Sequence, residues 1–231
     1  IIGVSGLRGQ EIANLVFPGL GFVLSIFIVF GGLAFNIGNV AGAGLGLNAM
    51  LGLSPVTGSI ISAICAILIF VIKEAGKAMD KVTQIAGGTM MLLMLYVAIS
   101  TTPPVGEAIA RTFAPSEISL FAIVTLVGGT VGGYITFAGG HRLLDAGIKG
   151  PENLSAITKS SVFGVGVTGI LRVALFLAVF GVVAQGLTID PDNPPASVFY
   201  LAAGNIGYKM FGVIMWAAAI TSVVGAAYTS V

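Results

Sequence analysis

Long apolar segments separated by short polar connectors constrain the fold of this sequence more than any single motif does. An apolar run of more than about 18 residues is long enough to cross the hydrocarbon core of a bilayer as a helix. Hydrophobic residues make up 56% of the chain and charged residues only 8%, whereas soluble domains contain about 25% charged residues. The sequence therefore predicts an integral membrane protein of the all-α class, a polytopic bundle of transmembrane helices.

The apolar segments predict about six transmembrane spans, of which the last extends to the end of the chain. The first segment is too long for one straight crossing at a rise of about 1.5 Å per residue, so its N-terminal part should tilt or protrude. Helices of a large soluble core are the alternative, and they would not need segments of this length. The predicted spans are Pro18–Leu51, Pro55–Ile72, Val82–Ser100, Ile118–Gly140, Ser161–Gly186 and Tyr208–Val231.

The basic residues lie on alternate connectors, which predicts the orientation in the membrane. The connectors on one side contain Arg8, then Lys73, Lys77 and Lys81, and then Arg142, Lys149 and Lys159. The opposite loops, TTPPVGEAIARTFAPSE and LTIDPDNPPASVF, hold Arg111 as their one basic residue and are richer in acids. Because cytoplasmic loops carry an excess of Lys and Arg, the basic connectors are predicted to face the cytoplasm.

Composition also excludes several classes of function. A formal net charge of +1 provides no basic surface for nucleic acid. Cys65 is the single cysteine and His141 the single histidine, so neither a disulfide framework nor a His/Cys metal cluster is predicted. His141 is interpreted as a hydrogen-bonded histidine at a cytoplasmic helix end. No catalytic set occurs at usable spacing, so we expect no enzyme and no cofactor, with the lipid bilayer and a transported solute as partners.

The segment GGTVGGYITFAGG, from Gly128 to Gly140, places six glycines within thirteen residues of an apolar run. Each interior glycine costs a helix about 1 kcal/mol relative to alanine. Irregular backbone at membrane depth is tolerated only beside protein or a water-filled cavity, and broken helices of this kind bind the solute in transporters. We therefore predict a broken helix that lines the substrate site, with these residues in contact with the solute: Thr130, Gly132, Gly133 and Tyr134.

The first span contains small residues at every fourth position. Such spacing forms a groove into which a second helix packs closely. The residues that form this repeat are Ala34, Gly38, Gly42 and Gly46.

Asn36, Asn39 and Arg172 are polar side chains inside predicted spans, where they are costly unless they find partners. Asn36 and Asn39 share a face of the first span, and they either bond to neighbouring helices or line a path for a solute or ion. Arg172 lies near the centre of the fifth span and is expected to face the protein interior. There it either has a structural partner or supplies a counter-charge to an anionic ligand.

Three segments resemble the NRAMP family of divalent-metal transporters, and more closely a divergent bacterial branch in which HRLLDAG follows the broken helix. FNIGNVAGAGLGLNAMLG is similar to the family's third helix, whose usual pattern is D-L-A-E-V-x-G, then L-N and a glycine. GGTVGGYITFAGG resembles the sixth, usually G-A-T-V-M-P-H-N, and WAAAITSVVGAAYTS resembles the eighth. The resemblance covers the whole chain and implies a LeuT-like inverted-repeat core in a bacterial inner membrane, with a solute site near the midplane.

The resemblance also places the family's functional residues on this sequence. Aligned without gaps, the metal-coordinating Met falls on Gly132 and the His on Tyr134, while the third-helix acids fall on Asn36 and Asn39. The soft thioether that favours transition metals is thus replaced at that position. The match runs from the end of helix two to helix eight, so residues 1–231 are expected to form a single transmembrane transporter domain, a fragment without the first and the C-terminal helices.

Taken together, these features predict a secondary transporter of the NRAMP-like type, a symporter that moves a divalent metal ion or a small solute by alternating access. One alternative is transport of a small organic acid or an amino-acid-like solute. A second alternative, from a different class, is a membrane structural subunit that transports nothing and whose glycines only permit close packing.

The predicted orientation can be tested by thiol labelling in intact cells. Cysteines substituted for Lys77 and Lys149 should be shielded from an impermeant thiol reagent and should react only after permeabilisation, because the basic connectors are held inside. A cysteine substituted for Asp192 should react in intact cells. Labelling of all three positions in intact cells would overturn the assignment of the spans.

Overall fold

The computed structural model describes residues 1–72, 75–131, 140–141 and 143–230, and the regular structure within these ranges is helical. A single turn of 3-10 helix, Pro151–Asn153, precedes one of the long helices. The helices are α1 (Ile2–Ser5), α2 (Gly9–Val16), α3 (Leu20–Leu51), α4 (Pro55–Val71), α5 (Ala75–Ser100), α6 (Val105–Phe113), α7 (Leu120–Val131), α8 (Leu154–Ala184) and α9 (Pro194–Ser230).

Within the described ranges, three stretches of helix are long and apolar enough to cross a membrane, namely Leu20–Leu51, Pro151–Ala184 and Pro194–Ala227. A fourth candidate consists of the end of α5 together with α6, which are bent by 100° with respect to each other. Helix α4 and the first part of α7 are apolar but shorter, at 10–17 residues. The prediction of an all-α polytopic membrane bundle is confirmed, while the count of six spans stays a prediction.

Two local features differ from the predicted spans and loops. The connector after the third span contains helix α6, whose first-turn Glu107 and last-turn Arg111 pair at 3.7 Å and favour its macrodipole. Helix α9 begins at Pro194 instead of Tyr208, and it breaks at Gly204, where φ is 63° and ψ is −159°. Only glycine adopts that backbone conformation readily, so the segment before Gly204 is separate from the helix that follows.

The described contacts divide the chain into two compact units. The first unit comprises residues 1–37, 119–166 and 225–231, and the second comprises residues 38–118 and 167–224. In the first unit the N-terminal helices pack against the connector that precedes α8. The Gly150 N–H donates to the Gly3 carbonyl at 2.8 Å, and Arg8 and Asp145 form an exposed ion pair at 3.4 Å.

His141 joins the same two segments of the first unit. The Gly9 N–H donates to His141 Nε2 at 2.9 Å, so this nitrogen carries no proton and the ring is neutral. Burial, assisted by the Arg8 guanidinium, lowers the pKa of His141 from 6.5, against opposing effects of Asp145 and Glu11. The interpretation of His141 as a hydrogen-bonded histidine at a helix end is therefore confirmed.

The second unit has an apolar core shared by α3, α5, α8 and α9. Phe199 and Phe211 stack within it, with ring centroids 4.2 Å apart. A smaller cluster joins α3 to α4 and α9. The fully buried members of the main cluster, with relative exposures of 2% or less, are Ala49, Val97, Ala178, Val182, Ala196, Val198 and Phe199.

Helices α3 and α9 approach most closely at two glycines. A Cβ atom on Gly46 would lie 2.7 Å from the backbone nitrogen of Trp216, and one on Gly212 would lie 2.9 Å from the Ala49 Cβ. Neither position therefore has room for a side chain. The predicted groove of small residues is confirmed at Gly46. A Cβ atom on Gly38 would have no other atom within 4 Å, so the groove is filled over only part of its length.

Hydrogen bonds fix the same helices at the C-terminal end of α3. The Asn193 Nδ2 group donates to the Leu45 carbonyl at 3.0 Å and to Asn48 Oδ1 at 2.9 Å, just before α9 begins. Further along α9, Lys209 Nζ donates to the Met50 carbonyl at 2.8 Å and thereby satisfies a terminal carbonyl of α3. These contacts set the register of α9 against α3.

The close approach of α3 and α9 predicts that alanine substitutions at two glycines of α3 have opposite effects on thermal stability. Gly46→Ala should lower the thermal stability of the purified protein, because the added methyl group meets backbone and overpacking typically costs about 1–3 kcal/mol. Gly38→Ala meets no atom and should leave stability unchanged or raise it by up to about 1 kcal/mol through helix propensity. Equal melting temperatures for the two variants in detergent would contradict this packing.

The contact between His141 and Gly9 predicts a dependence on pH. Because the pKa of His141 is lowered in the folded state, the stability from this contact is complete above about pH 6.5 and is lost as the pH falls from 6.5 through the lower folded pKa. Hydrogen exchange of α2, corrected for its intrinsic pH dependence, should therefore accelerate below pH 6.5. His141→Ala should exchange faster than the unmodified protein above pH 6.5 and lose the pH dependence, and an unchanged profile in that variant would refute the contact.

Candidate functional site

Two asparagines in the apolar helix α3 contain polar atoms that the fold leaves without partners. Asn36 Oδ1 and Asn39 Nδ2 are buried and have no hydrogen-bond partner among the described residues. A buried polar atom without a partner costs about 1–3 kcal/mol. Among the described residues, these two atoms therefore do not form the hydrogen bonds to neighbouring helices that one interpretation predicted.

Two other asparagines of the second unit, Asn48 and Asn193, show that the fold can satisfy such groups. Asn48, also on α3, donates through Nδ2 to the Leu53 carbonyl at 2.8 Å and accepts from Asn193. Asn193 is 2% exposed and uses both ends of its amide, since its Oδ1 also accepts from the Ala196 N–H. The unpartnered amide of Asn39 is thus a local exception, and such exceptions mark candidate binding positions.

Asn39 lines a cavity of about 490 Å³ within the second unit. This volume is in the range of roughly 300–1,000 Å³ that small-molecule sites usually have. The cavity lies between α3, α5, α8 and α9. Its lining residues are Gly38, Asn39, Gly42, Met90, Leu175, Val179, Pro195, Phe199, Phe211, Ile214, Met215, Ala218, Ala219 and Ser222.

The cavity exists because α3 and α9 diverge from their closest approach. At Gly46 a Cβ atom would meet the backbone of α9, whereas at Gly42 its nearest neighbours would be two side-chain atoms, the end of Met215 at 3.5 Å and the Cβ of Ala219 at 4.0 Å. At Gly38 it would meet nothing within 4 Å. Glycines on α3 therefore leave a wedge-shaped space, and Asn39 lies at its wide end.

The chemistry of the cavity wall is almost entirely apolar. Asn39 and Ser222 are the polar side chains among its lining residues, and Met90 and Met215 add neutral thioethers. No carboxylate, imidazole or ammonium group belongs to this lining. Within the described residues no group of three or more His, Cys, Asp or Glu side chains could hold a metal ion.

Arg172 lies on α8 next to the cavity along the chain. Leu175 and Val179, which line the cavity, follow it by three and seven positions, and this spacing places all three on one face of a helix with about 3.6 residues per turn. The Arg172 side chain is exposed instead of facing the interior as expected. The buried residues of α8 begin only at Ala174, so the described part of the chain covers this helix on its C-terminal side alone.

The structure describes some of the predicted substrate residues and not others. Asn39 lines the cavity, and Asn36, three positions earlier on the same helix, is half-buried with a buried Oδ1 atom. Thr130 belongs to helix α7, and its side chain is not described. Gly132, Gly133 and Tyr134 lie outside the described residues. The roles of all six, and that of Arg172 as a counter-charge, stay predictions.

Sequence reasoning did not identify several residues of the cavity, above all Ser222, Met90 and Met215. Ser222 stands in a run of small residues on α9, where a serine is indistinguishable from a packing residue. The two methionines lie on different helices, far apart in the sequence, and apolar spans contain such residues routinely. Only the packing of α5 and α9 around Asn39 separates these side chains from others of the same type.

Comparison with known proteins identifies the family of this sequence. The Nramp family model, described as natural resistance-associated macrophage protein-like, matches residues 11–230. The uncharacterized membrane protein YcsG of Bacillus subtilis is 70% identical over 231 residues, and an uncharacterized membrane protein of Haemophilus influenzae is 56% identical over 231 residues. This chain spans 57% and 58% of the lengths of these two relatives. No solved structure matches the chain.

The family match extends over nearly all of the chain, and the similar proteins are membrane proteins, in agreement with the long apolar helices. The resemblance to this family is confirmed by this match, while the assignment of individual segments to its helices stays a prediction. The chain is an integral membrane protein and belongs to the Nramp family of membrane transporters.

Proposed function

We propose that this chain is the core of a secondary transporter that carries a small solute through the second unit by alternating access. The observation that carries this proposal is the buried, unpartnered amide of Asn39 on the wall of a cavity of about 490 Å³. Membership of the Nramp family, whose members are transporters, supports the same function.

A polar group inside a membrane protein is costly and is usually retained for a function. Asn39 could have been satisfied by a neighbouring carbonyl, as Asn48 and Asn193 are. Its position beside empty space is what a solute-binding residue requires, because the solute then completes the hydrogen bond that the protein omits.

The predicted residues of the broken sixth helix belong to the proposal as well. Gly132 and Gly133 would offer backbone carbonyls and amides to the solute, and Tyr134 would offer a phenol. By alternating access, the solute would be exposed to one side of the membrane at a time.

A structural subunit that transports nothing is the competing function. It would explain the close approach of α3 and α9, since packing alone requires Gly46 and Gly212 to be small. It offers no reason for a wedge of empty space with a buried amide at its wide end, so the transport function is favoured.

Alternating access predicts that the cavity is reached from both sides of the membrane. The test uses the full-length parent protein with Cys65→Ala, without other cysteines, and with a single Ser222→Cys substitution on the cavity wall. An impermeant thiol reagent should modify this cysteine both from outside in intact cells and from the cytoplasmic side in inverted vesicles. Serine and cysteine are similar in size, so the substitution should preserve the packing of α9.

Val213→Cys is the matched control, because Val213 lies on the same helix, is 48% exposed and does not line the cavity. It should react from neither side when lipid surrounds it, since the reagent requires water. A structural subunit predicts that Ser222→Cys is modified from one side at most. Modification from one side only, under all conditions, would therefore refute the proposed transport function.

A further inference from the structure

We propose that the solute is a small organic compound with a carbonyl oxygen at one end of an apolar body, bound lengthwise in the wedge between α3 and α9. The oxygen accepts hydrogen bonds from Asn39 and Ser222, and the apolar body extends toward Phe211 and Met215. This inference rests on the proposed transport function and names the substrate class of the same cavity. The carbonyl oxygen belongs to a neutral amide or to a carboxylate, and the binding test distinguishes these two sources.

The contacts between α3 and α9 define an antiparallel register. A Cβ atom on Gly212 of α9 would lie 2.9 Å from the Cβ of Ala49 on α3. Two turns away, a Cβ atom on Gly42 of α3 would lie 4.0 Å from the Cβ of Ala219 on α9. Seven positions backward along α3 thus correspond to seven positions forward along α9.

This register brings the two polar side chains of the cavity lining to the same level of the wedge. Asn39 is three positions before Gly42 on α3, and Ser222 is three positions after Ala219 on α9, so the register reaches this pair after about one more helical turn. Both side chains line the cavity, one from each helix. The polar end of the solute therefore binds at the wide end of the wedge.

The unpartnered atom of Asn39 selects for a hydrogen-bond acceptor. Nδ2 carries two N–H donors and is buried without a partner among the described residues. A carbonyl oxygen has two lone pairs, so it can accept from Asn39 and from the Ser222 hydroxyl group at the same time. A metal cation or an ammonium group offers no lone pair to this amide and leaves its donors unsatisfied.

The part of the wedge that leads toward the close contact at Gly212 is apolar. Phe211, Ile214 and Met215 line the cavity there, on the same helix as Ser222. Their side chains carry no strong hydrogen-bonding group, so the solute gains free energy in this region by removing apolar surface from water. A solute that is polar at one end and apolar at the other matches this division of the cavity.

Protection of a cysteine on the cavity wall tests this solute class. The test uses the full-length parent protein without other cysteines and with Ala218→Cys, which lines the cavity and leaves Asn39 and Ser222 intact. The rate of modification by N-ethylmaleimide is measured in the purified protein with propionamide, sodium propionate or propylammonium chloride. The amide, the carboxylate or both should slow the reaction, whereas propylammonium is similar in size, has no acceptor and should not. If Ala218→Cys does not fold, Val179→Cys on the same cavity wall is used.

Three substitutions assign this protection to Asn39. Asn39→Leu should raise the half-protecting concentration at least about fivefold, which corresponds to about 1 kcal/mol for the lost hydrogen bond. Asn39→Asp should remove the protection, because an ionised carboxylate of nearly the same shape has no donor. Thr221→Val is the matched control, since Thr221 precedes Ser222 on α9, does not line the cavity and donates to carbonyls of its own helix. It should leave the half-protecting concentration unchanged.

The length of the solute tests the contribution of the apolar wall. From acetamide to propionamide and butyramide, or along the corresponding carboxylates, each added methylene group should lower the half-protecting concentration about fourfold. This factor corresponds to about 0.8 kcal/mol for each buried methylene group. A half-protecting concentration independent of chain length would contradict binding along the wedge.

Several results would overturn the assignment of a carbonyl compound. They are protection by neither the amides nor the carboxylates, protection that Asn39→Leu and Asn39→Asp leave unchanged, or protection by manganese chloride that Asn39→Asp strengthens. If Ser222→Cys is modified from both sides of the membrane in the accessibility test while no carbonyl compound protects Ala218→Cys, transport stands and the solute class is wrong. Modification of Ser222→Cys from one side only refutes the transport function itself.

Discussion

The contact between α3 and α9 at Gly46 and Gly212 determines the arrangement of the whole second unit. Lipid chains are as apolar as leucine, so helices in a membrane associate through close packing and hydrogen bonds instead of hydrophobic burial. Two glycines allow the backbones to touch, and the amide of Asn193 fixes the register at the same end of α3. The divergence of the helices from this contact leaves the wedge-shaped cavity. A packing requirement and a candidate binding site thus arise from one geometric feature.

The sequence predicts the parts of this arrangement that depend on chemistry along one helix. Apolar length predicts the membrane helices, and the spacing of glycines predicts a close helix contact, which forms at Gly46. Two asparagines in an apolar run indicate side chains that either bond to a neighbouring helix or line a solute path, and Asn39 lines the cavity. Features that depend on backbone geometry or on distant segments are not predicted, such as the break at Gly204 and the place of Ser222 opposite Asn39.

The exposure of Arg172 differs from the expectation that it faces the protein interior. The rule that a charged side chain avoids lipid predicts burial in the protein, but the helix α8 is covered only from about Ala174 onward in the described part of the chain. Arg172 still interacts with another group of the protein, so the cost of its charge does not by itself require a solute. Its role as a counter-charge to an anionic ligand stays a prediction.

Uptake by the full-length parent protein in proteoliposomes tests the central claim most directly. Radiolabelled Mn²⁺, propionate and lactate are each offered to vesicles with and without the protein. The account predicts protein-dependent uptake of at least one of these solutes, abolished by Asn39→Leu without a lower melting temperature. Equal uptake by vesicles with and without the protein for every solute, or uptake that Asn39→Leu leaves unchanged, would contradict it.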